Sequence, residues 1–88
     1  MAKKQPILEQ MRRNPKDDWR IDEVLKVCDQ HELEYRLPKG TSHYVVSSPL
    51  LRDSLCVPYK RPIKPIYIKN LVSYVDAHIL AKKEGEID

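Results

Sequence analysis

Cysteine is scarce in this chain. There are two, Cys28 and Cys56, with no C-x-x-C pair and no Cys/His spacing of the zinc-binding kind, so the sequence offers no zinc site. Both fall where the pattern calls for small apolar residues, which predicts inert core thiols. Acids are scarce where metal chemistry would need them. Between residues 35 and 74 Asp53 is the single acid, so no carboxylate cluster invites a hydrolytic metal ion. Long apolar runs are missing as well. No stretch approaches the roughly 18 residues of a membrane span. The start, MAKKQPILEQ, has charge but no continuous apolar segment of a secretory signal. These absences predict a cytoplasmic protein with no metal, no cofactor and no membrane partner.

Length is limited too. Eighty-eight residues suffice for one domain, or for a slightly smaller domain with an arm, since domains run to roughly 50–200 residues. The core is small and leaves little room for a deep pocket or a large cofactor. With 33% charged and 41% hydrophobic residues, the composition is that of a globular chain and not of a disordered one.

What is present is segregated charge. Residues 1–34 carry seven Lys/Arg against eight Asp/Glu, and residues 75–88 carry two against four. Residues 35–74 carry seven basic side chains against one acid, seven minus one giving +6 in a chain whose net charge is +3. Such segregation is the electrostatic footprint of a phosphate-binding face. The plainer alternative is a solvated surface that happens to be basic.

Periodicity predicts the elements. "KQPILEQMRR" (4–13) reads as a short helix, with Pro6 in its first turn and Ile7, Leu8 and Met11 as a small apolar stripe. "NPKDD" then breaks the chain, because Asn14 precedes a proline. The spacing predicts a separable helical arm over 1–18, the part least tightly attached, whose stripe packs either on the domain or on a partner. Ile21, Val24, Leu25 and Cys28 recur at helical spacing and predict a helix over 20–31. Asp22 and Glu23 suit its first turn, Trp19 staples its start, and His31 caps its end as a structural or exposed side chain.

Three strands follow, near 33–38, 43–48 and 54–58. The first alternates Leu33, Tyr35 and Leu37 against polar residues. In the other two, Tyr44, Val46, Leu55 and Val57 share one face, which leaves His43 on the opposite, open face. Short connections, Lys39-Gly40-Thr41 and "SPLLRD", predict antiparallel hairpins. Pro65 then opens a last helix over 65–81, with Ile68, Leu71, Val72, Val75 and Ile79 at helical spacing. His78 near its end is expected to be solvated, and residues 83–88 are expected to fray. The whole is an α+β, two-layer domain over 19–82 with both main helices on one face of the sheet.

The run "GTSHY" on the second strand, then "VPYKRPIKP" leading into the last helix, resembles the HicA toxins of prokaryotic toxin–antitoxin pairs. The likeness covers residues 20–80. It implies a double-stranded-RNA-binding-domain-like fold of α-β-β-β-α order and a ribosome-independent messenger-RNA endonuclease (an mRNA interferase). It implies neutralisation by a HicB-like antitoxin, and it implies that His43 is catalytic. The chain departs from the family's pattern in four respects, one being that the N-terminal arm is more than the minimal family unit. Tyr44 stands where many members have a second histidine, Tyr59 and Lys60 where many have another, and His31-Glu32-Leu33 where a glycine is common.

The chemistry can be weighed without the resemblance. RNA supplies its own nucleophile, the 2′-hydroxyl, so an enzyme needs a proton acceptor and charge stabilisation. Histidine suits the first, with an ordinary pKa of about 6.5, and lysine and arginine suit the second. His43 edged by Lys39, Lys60, Arg61 and Lys64 is a sufficient kit, though not a demanding pattern. Lys39, Gly40 and Thr41 either offer turn amides to a phosphate or form an ordinary hairpin turn. Ser42 either orients His43 or contacts RNA, or else makes a local turn bond. Tyr44 packs in the core or stacks a base, and Tyr59 stacks a base or packs at the rim. Two other classes stay open: an RNA-binding module that does not cut, and an antitoxin-binding protein with a vestigial site.

Overall fold

The computed structural model describes residues 6–86. Helix α1 spans Ile7–Arg13 and α2 spans Ile21–Gln30. Strands β1 (Glu34–Arg36), β2 (His43–Ser47) and β3 (Ser54–Pro58) follow, and α3 (Pro65–Glu86) closes the chain. The strands form one antiparallel sheet in the order β1-β2-β3. The molecule measures 42 × 40 × 20 Å, and its thin axis suits one sheet and one helical layer, stacked about 10 Å apart. This is the α+β, two-layer arrangement that the sequence predicts.

Register decides which residues the sheet hides. Tyr44 faces Val57 and Val46 faces Leu55 across β2 and β3, and Val46 and Val57 are fully buried. Because the side-chain period of a strand is two, His43, Val45, Cys56 and Pro58 lie on the other face, with His43 opposite Pro58 and Val45 opposite Cys56. Helices α2 and α3 supply Val24, Val27, Cys28, Ile68, Leu71 and Val75 to the same core. Burial pushes the Cys28 thiol up to about 12, so it is inert at neutral pH. Cys56 is exposed, contrary to the expectation of two core thiols. Alternation on β3 puts it on the open face, one residue from the buried Val57.

The α2–β1 junction replaces the expected glycine with strain. His31 is the C-cap and Glu32 adopts φ 60°. The Leu33 N–H donates to the Cys28 carbonyl at 2.8 Å and the Glu32 N–H to the Asp29 carbonyl at 3.4 Å. These two bonds make a Schellman motif, whose left-handed position usually holds glycine. At the other end of α2, the Glu23 carboxylate accepts from the Arg20 N–H at 3.0 Å, one arm of a capping box.

Four expectations need correction. Residues 4 and 5 of the expected first helix lie outside the described residues, and the rest is no loose arm: Leu8 and Met11 belong to the common core. Arg12 reaches α3 and donates to both Asp76 oxygens, at 2.7 and 2.8 Å. α3 is longer than expected, running through Glu86, with residues 87 and 88 of the expected tail outside the described residues. β1 is shorter than the strand expected near 33–38 and is wholly exposed, and Tyr35 and Leu37 sit at an uncovered edge. His78 is 4% exposed and not solvated. It continues the buried spacing of Leu71 and Val75, and its Nδ1 lies 2.6 Å from Ser48 Oγ, which in turn accepts from the Leu50 N–H. That pair ties the β2–β3 loop to α3.

Candidate functional site

At the end of the sheet where β2 begins and β3 stops, an open groove of about 460 Å³ is lined by Ser42, His43, Pro58, Lys60, Arg61, Pro62, Lys64 and Tyr67. Its position follows from the path of the chain. β3 ends at Pro58, and residues 59–64 turn back toward the first turn of α3. The Tyr59 N–H donates to the Ser42 carbonyl at 3.1 Å, and the Ile63 N–H donates to the Trp19 carbonyl at 3.0 Å. Ile63 itself is 1% exposed. The segment is thus pinned at both ends, and the side chains between, Lys60 and Arg61, are exposed. The Arg61–Pro62 peptide is cis.

His43 is exposed on the first residue of β2. Ser42 Oγ stands 3.4 Å from its Nδ1, long for a hydrogen bond of any strength, so the ring is weakly oriented by its neighbour. The charge around it is one-sided. Lys60, Arg61 and Lys64 share the groove. The N-terminus of α3, with its partial positive charge, starts beside Lys64, and its first turn holds no acid. α2 differs, having Asp22 and Glu23 there. The Asp18 carboxylate lies 3.8 Å from Arg61 and 3.9 Å from Arg20; all three are exposed, and pairs of this kind contribute at most about 1 kcal/mol. Among the described residues, no three His, Cys, Asp or Glu side chains converge to hold a metal ion. No described helix is long and apolar enough to cross a membrane.

Of the candidate residues, the groove brings together Ser42, His43, Lys60, Arg61 and Lys64. Lys39, Gly40, Thr41 and Tyr59 are not among its walls. Residues 38–41 form a closed turn, with the Thr41 N–H and Oγ1 both donating to the Pro38 carbonyl at 3.2 and 2.8 Å. Gly40 has φ +80°, the third-position requirement of a type II turn. The hydroxyl of Thr41 is therefore engaged in holding its own turn. Tyr59 continues the alternation of β3 onto the helix side, where its ring meets Tyr44 edge-on at 6.4 Å. Tyr44 meets Tyr35 in the same way at 6.3 Å. The tyrosines form a row on the opposite side of the sheet from His43.

Pro58, Pro62 and Tyr67 line the groove and were not singled out from the sequence. A signal for two of them was available. Pro58 is opposite His43 if the hairpin register is taken literally. Tyr67 is three residues after Lys64, the spacing of side chains on one helix face, and its N–H donates to the Lys64 carbonyl at 3.0 Å.

The other two histidines are elsewhere. His78 is bonded to Ser48, past the far end of β2 from His43. His31 caps α2, and burial, helped by the nearby His78, lowers its pKa while Asp76 opposes the shift. No second histidine lines the groove. No family model matches the chain, and it matches neither a curated protein nor a solved structure.

Proposed function

We propose that the chain is a toxin of the HicA kind from a type II toxin–antitoxin pair, a metal-independent endoribonuclease in which His43 is the general acid/base. The observation that carries this reading is the setting of His43. It is exposed at the end of the open sheet face and shares one groove with Lys60, Arg61 and Lys64. The order α2-β1-β2-β3-α3 is also that of a double-stranded-RNA-binding domain, which supports an RNA substrate. On this reading messenger RNA is cut in the cytoplasm, and a HicB-like protein is the neutralising partner.

The chemistry needs one imidazole. Neutral His43 takes the proton of a ribose 2′-hydroxyl as that oxygen attacks the adjacent phosphorus. The bond to the 5′-oxygen breaks, and the leaving oxygen takes its proton from a water that the open groove admits, while protonated His43 returns its proton to the resulting hydroxide and is neutral again. The products are a 2′,3′-cyclic phosphate and a 5′-hydroxyl end. Lys60, Arg61 and Lys64 hold the phosphate and oppose the charge that builds on its oxygens. Ser42 is a weak positioning residue, given its 3.4 Å separation from the ring.

Inducible expression in bacteria tests the reading. The wild-type chain should arrest growth, and His43→Ala, expressed to the same level, should not. Equal toxicity of the two would remove His43 from the chemistry.

A further inference from the structure

The lining of the groove is chemically mixed. Lys60, Arg61 and Lys64 are cationic. Pro58, Pro62 and Tyr67 are apolar or aromatic. A site that only gripped phosphates would need the cations alone. Duplex RNA, in particular, is held through phosphates and 2′-hydroxyls, and its base faces are hidden in the stack. An apolar shelf beside cations suits a ligand with a flat apolar face next to an anion.

We infer that the groove seats one unpaired nucleobase of the substrate against the ring of Tyr67, with its phosphate toward Lys60, Arg61 and Lys64. The inference rests on the ribonuclease reading and names what the same groove holds beside the scissile phosphate. Tyr67 is fitted to the task. Its ring is half-buried and packed on the hydrophobic core, so it is a fixed platform, and none of the described hydrogen bonds uses its hydroxyl. The cavity, at about 460 Å³, falls in the range of roughly 300–1,000 Å³ typical of small-ligand sites. Pro58 and Pro62 line the same groove with rigid rings and bring no competing side-chain donors. A base in a duplex reaches such a shelf only by leaving its stack, at a cost of a few kcal/mol, so single-stranded or looped RNA is the preferred substrate class.

The experiment uses the full-length protein and a short 2′-O-methyl RNA oligonucleotide, which lacks the attacking hydroxyl and stays intact. Binding is read by fluorescence anisotropy, with an abasic residue introduced at each position in turn. The expected result is one position at which loss of the base weakens binding by roughly tenfold or more, the scale of one aromatic–base stack. Tyr67→Phe should bind as wild type does. Tyr67→Leu should lose a similar factor on the intact strand and nothing further on the strand abasic at that position, since two changes to one contact do not add. Because Tyr67→Leu also touches the core, the abasic series with wild-type protein stands as an independent arm. Affinity unchanged to within about twofold at every abasic position, or a Tyr67→Leu loss that adds fully to the abasic loss, would overturn the inference and leave the ribonuclease reading intact. Failure of the wild-type protein to bind the intact strand would overturn both.

Discussion

On the proposed ribonuclease reading, His43 and its cationic neighbours act at different stages of the same event, and single substitutions test the division. An exposed strand histidine contributes little packing, so His43→Ala should shift stability by no more than about 0.5 kcal/mol and leave RNA affinity nearly intact while turnover disappears. On the same reading the cations act on the bound substrate as well as on the transition state. Lys60→Ala or Lys64→Ala should weaken RNA binding and reduce the slope of log K against log salt by roughly 0.7 per lost single-strand contact. Anisotropy titrations at several salt concentrations would show both effects. Lysine variants that bind as tightly as wild type would reduce the basic wall to a solvated surface. A second residue tests the fold and not the site. Glu32 holds a left-handed conformation that costs a non-glycine residue roughly 1–2 kcal/mol, and its ion pair with Lys82 at 2.8 Å is exposed. Glu32→Gly should therefore raise stability by up to about 1 kcal/mol in urea unfolding.

Among the elements, α1 departs furthest from expectation. Its apolar stripe was legible in the sequence, but a three-residue stripe does not say whether it meets its own domain or a partner. The structure buries Met11 completely. Met11→Ala should cost about 2–5 kcal/mol, as truncations of fully buried side chains do. Arg12→Ala, which removes an exposed ion pair, should cost at most about 1 kcal/mol. Chemical denaturation of the two variants measures the contrast, and equal small losses would mean that α1 is the loose arm after all. The strands show where alternation is sufficient evidence and where it is not. On β2 and β3 every second residue is apolar and both faces came out as read, His43 included. On β1 the alternation of Leu33, Tyr35 and Leu37 was read correctly as a face, but a face at an edge need not be covered. His78 was legible only through its spacing. It falls three residues after Val75 and seven after Leu71, on the stripe, and an imidazole there can be buried because Ser48 gives it a partner. The groove was half legible: charge and the "GTSHY" run pointed to His43 and to residues 60–64. Tyr67 shares a helix face with Lys64, but helical spacing alone does not say that this face borders the groove; the return of residues 59–64, pinned by the Ile63–Trp19 backbone bond, is a tertiary contact with no local pattern.

At the scale of the whole molecule, two layers divide the labour. One face of the sheet is spent on the core, and the other, with the end where β2 begins, is open, which is where the proposed function places the substrate. The sequence-level segregation of charge becomes a spatial one there, since three of the basic side chains of residues 35–74 meet at the groove. Acid should loosen the fold from the opposite end. Burial lowers the His31 pKa from 6.5, so the unfolded chain takes up the proton more readily, and stability falls as pH drops below that ordinary value until the lower folded pKa is passed. Arg12 lowers the Asp76 pKa from 3.8, so that carboxylate's stabilisation is present above its ordinary value and is lost as pH falls through the folded one. Thermal unfolding should thus shift to lower temperature as pH falls from about 7 to about 5, and His31→Gln should flatten that decline.

Purified wild-type and His43→Ala protein, incubated with a single-stranded RNA in EDTA, would show whether His43 removes a 2′-hydroxyl proton in a metal-free cleavage, once the chemical ends of any fragments are determined by mass spectrometry. Cleavage by the wild type alone is expected, with 2′,3′-cyclic phosphate and 5′-hydroxyl ends. Cleavage that EDTA abolishes, 5′-phosphate ends, or equal cleavage by His43→Ala would contradict that chemistry.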